Sequence, residues 1–229
     1  MKKSRILSMR NALFATLIML TLSFTPDAPK RVIFFGDSIT ELGVNEGGYI
    51  TLMGKTLAEK GVGDQFELIG AGTGGNKVYD LYLRLDEDVL SKKPDLVFIY
   101  VGINDVWHKS WGTGTDEPKF KRFYEALITK IQASGAEVVL CTPTVIGERK
   151  GFTNPQDGDL NQYAEIIRQL ADGYNTKLCD LRRIFLEYEN AYNPENKEKD
   201  ILTYDRVHLN DTGNQMVAAA MLKFLSQDQ

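Results

Sequence analysis

The sequence is poor in the residues that build metal centres and covalent frameworks, with two cysteines and two histidines among 229 residues. Cys141, Cys179, His108 and His208 lie at no spacing that a tetrahedral zinc site uses, so no metal is expected. Two cysteines cannot make a disulfide scaffold, and both stand inside apolar strand-like runs, "EVVLCTP" and "TKLCDL". Buried free thiols are therefore expected rather than a bridge. Beyond the first ten residues there is no basic cluster, and the net charge is −4. Binding phosphates needs grouped Lys and Arg, so no nucleic-acid partner is expected. The sequence also has no internal repeat, low-complexity tract or interdomain linker. What remains, 43% hydrophobic and 25% charged, has the balance of a globular domain large enough to bury a substantial core.

The N-terminus stands apart. Lys2, Lys3, Arg5 and Arg10 precede an uncharged stretch, Asn11 to Thr25, centred on "ALFATLIML". A basic start followed by an apolar run of this length reads as a secretory signal. The run is short for a transmembrane helix, which needs about 20 apolar residues, and an uncleaved membrane anchor is the alternative. The following "SFTPDAPK" has no small-x-small pattern to mark a cut, and no cysteine follows to carry a lipid. Residues 1–28 are expected to be a signal peptide or separate segment, and 29–229 the folded domain. The protein is then expected to be exported, periplasmic or secreted, with no stable membrane insertion after the signal is removed.

From Arg31 onward, short apolar runs alternate with segments of helical periodicity. The runs are "RVIFFG" (31–36), "FELIG" (66–70), "DLVFIYVG" (95–102), "AEVVLCT" (136–142) and a weaker "TKLCDL" (176–181). Their near-continuous Val, Ile and Phe content suits strands covered on both faces. Between them lie "GYITLMGKTLAEK", "NKVYDLYLRLDEDVL", "KFKRFYEALITKIQAS" and "GDLNQYAEIIRQLADGY", and "TGNQMVAAAMLKFL" closes the chain. Phe120, Phe123, Leu127 and Ile131 recur at intervals of three and four, on one helix face. This alternation predicts a doubly wound, flavodoxin-like α/β fold with a parallel five-stranded sheet and helices on both faces. Right-handed crossovers put every strand's C-terminal end on one edge, where ligands bind. Three longer loops, 105–118, 143–158 and about 189–206, are expected, and two of them follow strands directly and rim that edge.

Four short blocks fall at this edge or can reach it: "GDSIT" (36–40), "GAGTGGN" (70–76), "GIND" (102–105) and "DRVH" (205–208). The second contains Gly70-x-Gly72-x-x-Gly75, the outline of a dinucleotide-binding fingerprint. That reading fails, because the fingerprint belongs after the first strand, where "GDSIT" stands instead. It also requires an acidic residue at the end of the following strand, whereas Asp95 opens its strand and lies at the wrong edge. A tight turn that brings a backbone N–H to a negative oxygen explains the glycines better. Ser38 sits at a strand-to-helix turn where its Oγ can project into a cleft, but a serine is inert as a nucleophile without a base. His208 follows Asp205 by three residues, and His108 follows Asp105 by the same interval, so spacing does not separate them. The segment around His208 runs into a helix and can be held rigidly, whereas "NDVWHKSWGTGTDEP" opens a Gly-rich loop. Asp37 is expected to brace the serine turn through backbone hydrogen bonds.

With these four blocks in order, the chain resembles the SGNH (GDSL-like) hydrolases from about Val32 to Leu225. Ser38 matches the family nucleophile, and Gly75 the glycine whose N–H points into the oxyanion hole. Asn104 matches the asparagine that completes the hole, and Asp205 and His208 match the D-x-x-H of base and orienting carboxylate. Ile39 replaces the leucine of the family's name motif. Gly70 stands where many members have asparagine, which leaves open how the glycine block is braced, and Gly72 or Gly74 is an alternative donor. The resemblance implies ester hydrolysis through an acyl-enzyme, without metal or organic cofactor, on a small-molecule or saccharide ester. Within the family the choice runs between lipases, lysophospholipases, thioesterases and carbohydrate O-acetylesterases. Export, acidity and a Trp-bearing loop favour the last, with Trp107 and Trp111 beside His108 as an apolar or sugar-stacking wall, or else a solvated loop. The rivals outside esterase chemistry are a nucleotide binder and a non-catalytic carbohydrate-binding module.

Overall fold

The computed structural model describes residues 28–225, so the expectations for the N-terminal segment lie outside the described residues. Five strands form one sheet: β1 (Lys30–Gly36), β2 (Phe66–Gly72), β3 (Leu96–Tyr100), β4 (Glu137–Cys141) and β5 (Lys177–Cys179). Their order is β2-β1-β3-β4-β5 and every pairing is parallel. This is the flavodoxin-like order, and it reverses direction between β1 and β3, where a crevice opens at the carboxyl ends. Successive strand side chains point to opposite faces. All five residues of β3 are buried, so the sheet must be covered on both sides. Phe34 and Phe98 stack across the central strands with ring centroids 5.0 Å apart.

The helices are α1 (Ser38–Leu42), α2 (Tyr49–Glu59), α3 (Val78–Asp88), α4 (Ile103–Trp107), α5 (Glu117–Ala133), α6 (Asp157–Gly173), α7 (Leu181–Tyr192) and α8 (Asp211–Leu222). One packed group is α2 with α8; α3, α5 and α6 form another. The expected face of α5 is buried at Phe120, Leu127 and Ile131, with Tyr124 and Ile128 between them. Cys141 and Cys179 stand opposite one another in the β4–β5 register as buried free thiols. Among the described residues, no helix is long and apolar enough to cross a membrane.

Two of the expected loops are corrected. The segment 105–118 is largely helical: α4 runs into a 3₁₀ turn, His108–Trp111, and α5 begins at Glu117. The segment 189–206 begins inside α7, which the periodicity did not reveal. In α7 the buried positions are Leu181, Arg182, Phe185 and Glu189, so two charged residues interrupt the apolar stripe. Burial of Arg182 is offset by ionic and polar partners: Asp157 Oδ1 at 2.8 Å, Asn161 Oδ1 at 2.9 Å and the Thr144 carbonyl at 2.9 Å.

Candidate active site

Three of the four sequence blocks end or follow strands at the crevice. Asp37 ends the turn after β1 and caps α1, its Oδ1 accepting from the Ile39 N–H at 3.0 Å. This places Ser38 at the first position of a helix, with its own backbone N–H unbonded within the described chain. The Asp37 carboxyl is 2% exposed, and burial pushes its pKa up to about 7 against the lowering effect of the Ile39 N–H. It is a brace for the turn, as expected.

The glycine block continues β2. Gly72 passes so close to α1 that a Cβ would stand 2.0 Å from the Glu41 nitrogen, so only glycine allows this approach. Gly75 has φ +73°, a left-handed conformation that glycine adopts without steric cost. Neither the Gly74 nor the Gly75 N–H has a bond within the described chain. Asn104 lies in the first turn of α4 and is 2% exposed; its Nδ2 donates to the Asn76 carbonyl at 3.1 Å. The end of β3 thus meets the loop after β2 through a side-chain amide.

The fourth block arrives from a distance of 170 residues along the chain. Ser38 Oγ and His208 Nε2 are 2.9 Å apart, and His208 Nδ1 is 2.7 Å from Asp205 Oδ2. Asp205 also holds its own turn, its Oδ1 accepting from the Val207 and His208 N–H groups at 3.0 and 2.8 Å. Partial burial raises the Asp205 pKa, but the hydrogen bonds from His208 outweigh it and hold the carboxyl below its ordinary range. An ionised carboxylate only accepts, so Nδ1 of neutral His208 carries the proton and Nε2 accepts from Ser38 Oγ. Arg206, between them, has φ +90°, an uncommon conformation for a residue with a side chain; its carbonyl is held by the Gly147 N–H at 2.8 Å.

The equally spaced Asp105–His108 pair is not brought to Ser38. The Asp105 side chain is fully buried and both oxygens accept from the Val78 N–H at 3.2 Å, capping α3 from below. Burial raises its pKa to about 7. His108 instead packs at a tilt of 35° against Trp111, with centroids 4.7 Å apart. Trp107 lies edge-on to His208 at 6.4 Å and 5.4 Å from Trp111, which is 61% exposed. Tyr204 stacks almost parallel to the His208 imidazole at 5.8 Å. Beyond Tyr204 opens a cleft of about 590 Å³ lined by Leu42, Asn45, Glu46, Asn210 and Asp211 among others. Tyr204 was not singled out from sequence, although it directly precedes the "DRVH" block.

The arrangement offers a hydroxyl, a base and an orienting carboxylate in line, with the unbonded N–H of Ser38 itself at the same turn. It can carry out acyl transfer with the constellation of a serine hydrolase. Comparison with known proteins agrees. Residues 34–216 match the model of the GDSL-like lipase/acylhydrolase family. An acetylxylan esterase of Geobacillus stearothermophilus is 29% identical over 216 residues, which is 85% of this chain and 93% of that protein. The crystal structure of an acetyl xylan esterase, AlAXEase, is 61% identical, with a TM-score of 0.84 over 85% of this chain and 99% of that one. A catalytic mutant of an acetylxylan esterase from G. stearothermophilus, with an aspartate replaced by alanine, is 25% identical. Its TM-score is 0.77 over 88% of this chain and 96% of that one. The protein belongs to the GDSL-like lipase/acylhydrolase family and is a carboxylic ester hydrolase.

Proposed function

We propose that the protein is an exported carbohydrate O-acetylesterase in which Ser38 is the nucleophile, His208 the base and Asp205 its orienting carboxylate. The observation that carries this reading is the continuous chain Ser38 Oγ–His208–Asp205, at 2.9 and 2.7 Å. Ser38 Oγ attacks the acetyl carbonyl as His208 Nε2 takes its proton, and His208 returns that proton to the sugar oxygen as its bond to the acetyl carbon breaks. Water, deprotonated by the same imidazole, then attacks the acyl-enzyme and releases acetate. Asp205 stays ionised throughout and stabilises the imidazolium. The N–H groups of Ser38 and Gly75 and the Asn104 amide receive the developing oxyanion.

Because the leaving alcohol collects its proton from His208, the saccharide lies on the His208 side of the site. Both flanks there suit a sugar. Exposed Trp111 and half-buried Trp107 offer an aromatic wall, and the cleft lined by Tyr204 also carries amide and carboxyl groups able to bond hydroxyls. The similarity to acetylxylan esterases supports acetylated xylan as the substrate class. The basic-then-apolar N-terminal stretch supports export. The test compares acetylated xylooligosaccharides with 4-nitrophenyl acetate and octanoate. Acetyl is expected to be preferred, and Trp111→Ala to raise KM for the oligosaccharide a few-fold without changing turnover of the small ester. A marked preference for octanoate would favour a lipid substrate instead.

A further inference from the structure

The loop from Gly72 to Lys77 has few side chains with which to hold itself, yet its N–H donors must keep a set distance from that of Ser38. One side chain spans the gap. Arg84, on α3, donates from Nη2 to the Gly36 carbonyl at 2.7 Å, two residues before Ser38. Its Nη1 donates to the Ala71 carbonyl near the end of β2 at 3.1 Å. Its Nε donates to Asn76 Oδ1 at 2.7 Å, on the residue that follows Gly75. The guanidinium lies over the Phe35 ring, 4.6 Å from its centroid, and Asp88 takes a 2.6 Å ion pair one turn along the helix. The Asn76 carbonyl in turn accepts from Asn104 Nδ2. A single planar fork therefore ties the nucleophile turn to the glycine loop and, through Asn76, to the buried amide.

We propose that Arg84 is a positioning residue for ester hydrolysis, its guanidinium setting the separation of the Ser38, Gly75 and Asn104 donors before substrate arrives. The proposal rests on the oxyanion role given above to those three groups. Arginine suits it because its donors sit on three nitrogens of a rigid plane and reach acceptors on three separate segments, whereas lysine's three donors all radiate from one atom. Donors already in place need no reorganisation as charge develops, so their spacing acts on the chemical step more than on substrate binding.

The experiment measures kcat and KM for 4-nitrophenyl acetate in Arg84→Lys, Arg84→Ala and Asn76→Ala, with circular dichroism to establish folding. Arg84→Lys keeps the charge but not the fork. Asn76→Ala cuts the link to the glycine loop and leaves the bonds to Gly36 and Ala71. We expect kcat to fall about tenfold or more in Arg84→Lys and less in Asn76→Ala, with KM within about twofold of the parent. Millimolar guanidinium should restore part of the kcat lost in Arg84→Ala, which a general loosening of the fold would not allow. Unchanged kcat in folded Arg84→Lys, or a loss confined to KM, would overturn the proposal. Should neither Arg84 variant fold, Asn76→Ala decides alone: a fall in kcat at constant KM upholds the brace and an unchanged kcat rejects it. Asn104→Ala separates the two claims. A loss of kcat there with none in Arg84→Lys rejects the brace alone, whereas full kcat in Asn104→Ala rejects the oxyanion role and the brace with it.

Discussion

The two halves of the site are held in different ways. Ser38, the glycine loop and Asn104 stand at the ends of β1, β2 and β3, whose parallel ladders bind their backbones together. Asp205 and His208 belong to a stretch between α7 and α8 in which the described backbone makes a single isolated bridge, Thr203 to Leu209. That stretch hangs on Glu148, a fully buried carboxylate in the segment after β4. Glu148 accepts from the N–H groups of Ile201, Leu202 and Thr203 at 2.8, 2.6 and 2.6 Å, and from the Thr203 hydroxyl at 2.9 Å. Backbone contacts add to it, from the Glu148 N–H to the Glu198 carbonyl and from Asn193 Nδ2 to the Glu148 carbonyl. In the sheet-borne half the strand ends are placed by main-chain pairing, and only the loops beyond them rely on side chains such as Arg84. The base-bearing half depends on a few buried polar side chains, so a single substitution remote from Ser38 should reach the chemistry.

The largest effect expected is at the junction of the halves. Ser38→Ala and His208→Ala should each lower kcat/KM by about 10⁴-fold or more, while His108→Ala changes it by less than about tenfold. Steady-state rates on an aryl acetate decide it, and an equal loss in the two histidine variants would move the base. Next comes the anchor of the irregular half. Glu148→Gln places an amide donor against backbone N–H groups and leaves some of them unpaired, a change that costs roughly 3 kcal/mol of stability. Urea unfolding should show that loss, and kcat should fall about tenfold as the Asp205–His208 turn loosens. Parent-like values in both measurements would mean that the 193–210 stretch supports itself.

The smallest effect concerns Glu189, on α7 behind this half. It is 1% exposed with neither oxygen hydrogen-bonded, and burial, followed by the nearby Glu148 charge, pushes its pKa to about 8. The folded protein then holds a proton that the unfolded chain, with an ordinary Glu near 4.5, releases. This contribution to stability is complete below pH 4.5 and fades as pH rises through 8. Glu189→Gln should match the parent at pH 4.5 and exceed its stability at pH 9 by at least roughly 1 kcal/mol. The decline that persists between about pH 4 and 7 in the variant belongs to Asp37 and Asp105, whose carboxyls shift in the same direction on the sheet side. Unfolding curves of parent and variant that run parallel from pH 4.5 to 9 would contradict this assignment.

Much of this was legible from short-range pattern. The central strands announce themselves because both of their faces are buried, leaving unbroken Val, Ile and Phe runs such as Leu96–Tyr100. Asp205 and His208 are readable because their contact is local, three residues apart on one turn. What escaped were the inward-facing charges outside the four blocks. Arg182 and Glu189 concealed α7 by occupying its buried face, and Arg84 sits in α3 with nothing in its neighbours to distinguish it from a surface arginine paired with Asp88. Glu148 lay in a segment expected to be a loop, where a carboxylate is ordinarily solvated, yet residues 141–148 are all buried.

By itself, then, the sequence determined a doubly wound parallel sheet and four blocks at its carboxyl edge, because hydrophobic period and turn chemistry are local properties. Spacing alone did not separate its two Asp-x-x-His segments; the helix beyond His208 and the family resemblance favoured that one. Tertiary structure supplies the contact that distinguishes them. It turns Asp105 inward to cap α3 and carries His208 across 170 residues to within 2.9 Å of Ser38. The physical reason is that a carboxylate's role follows from what burial and neighbouring donors surround it with, and those neighbours come from distant parts of the chain.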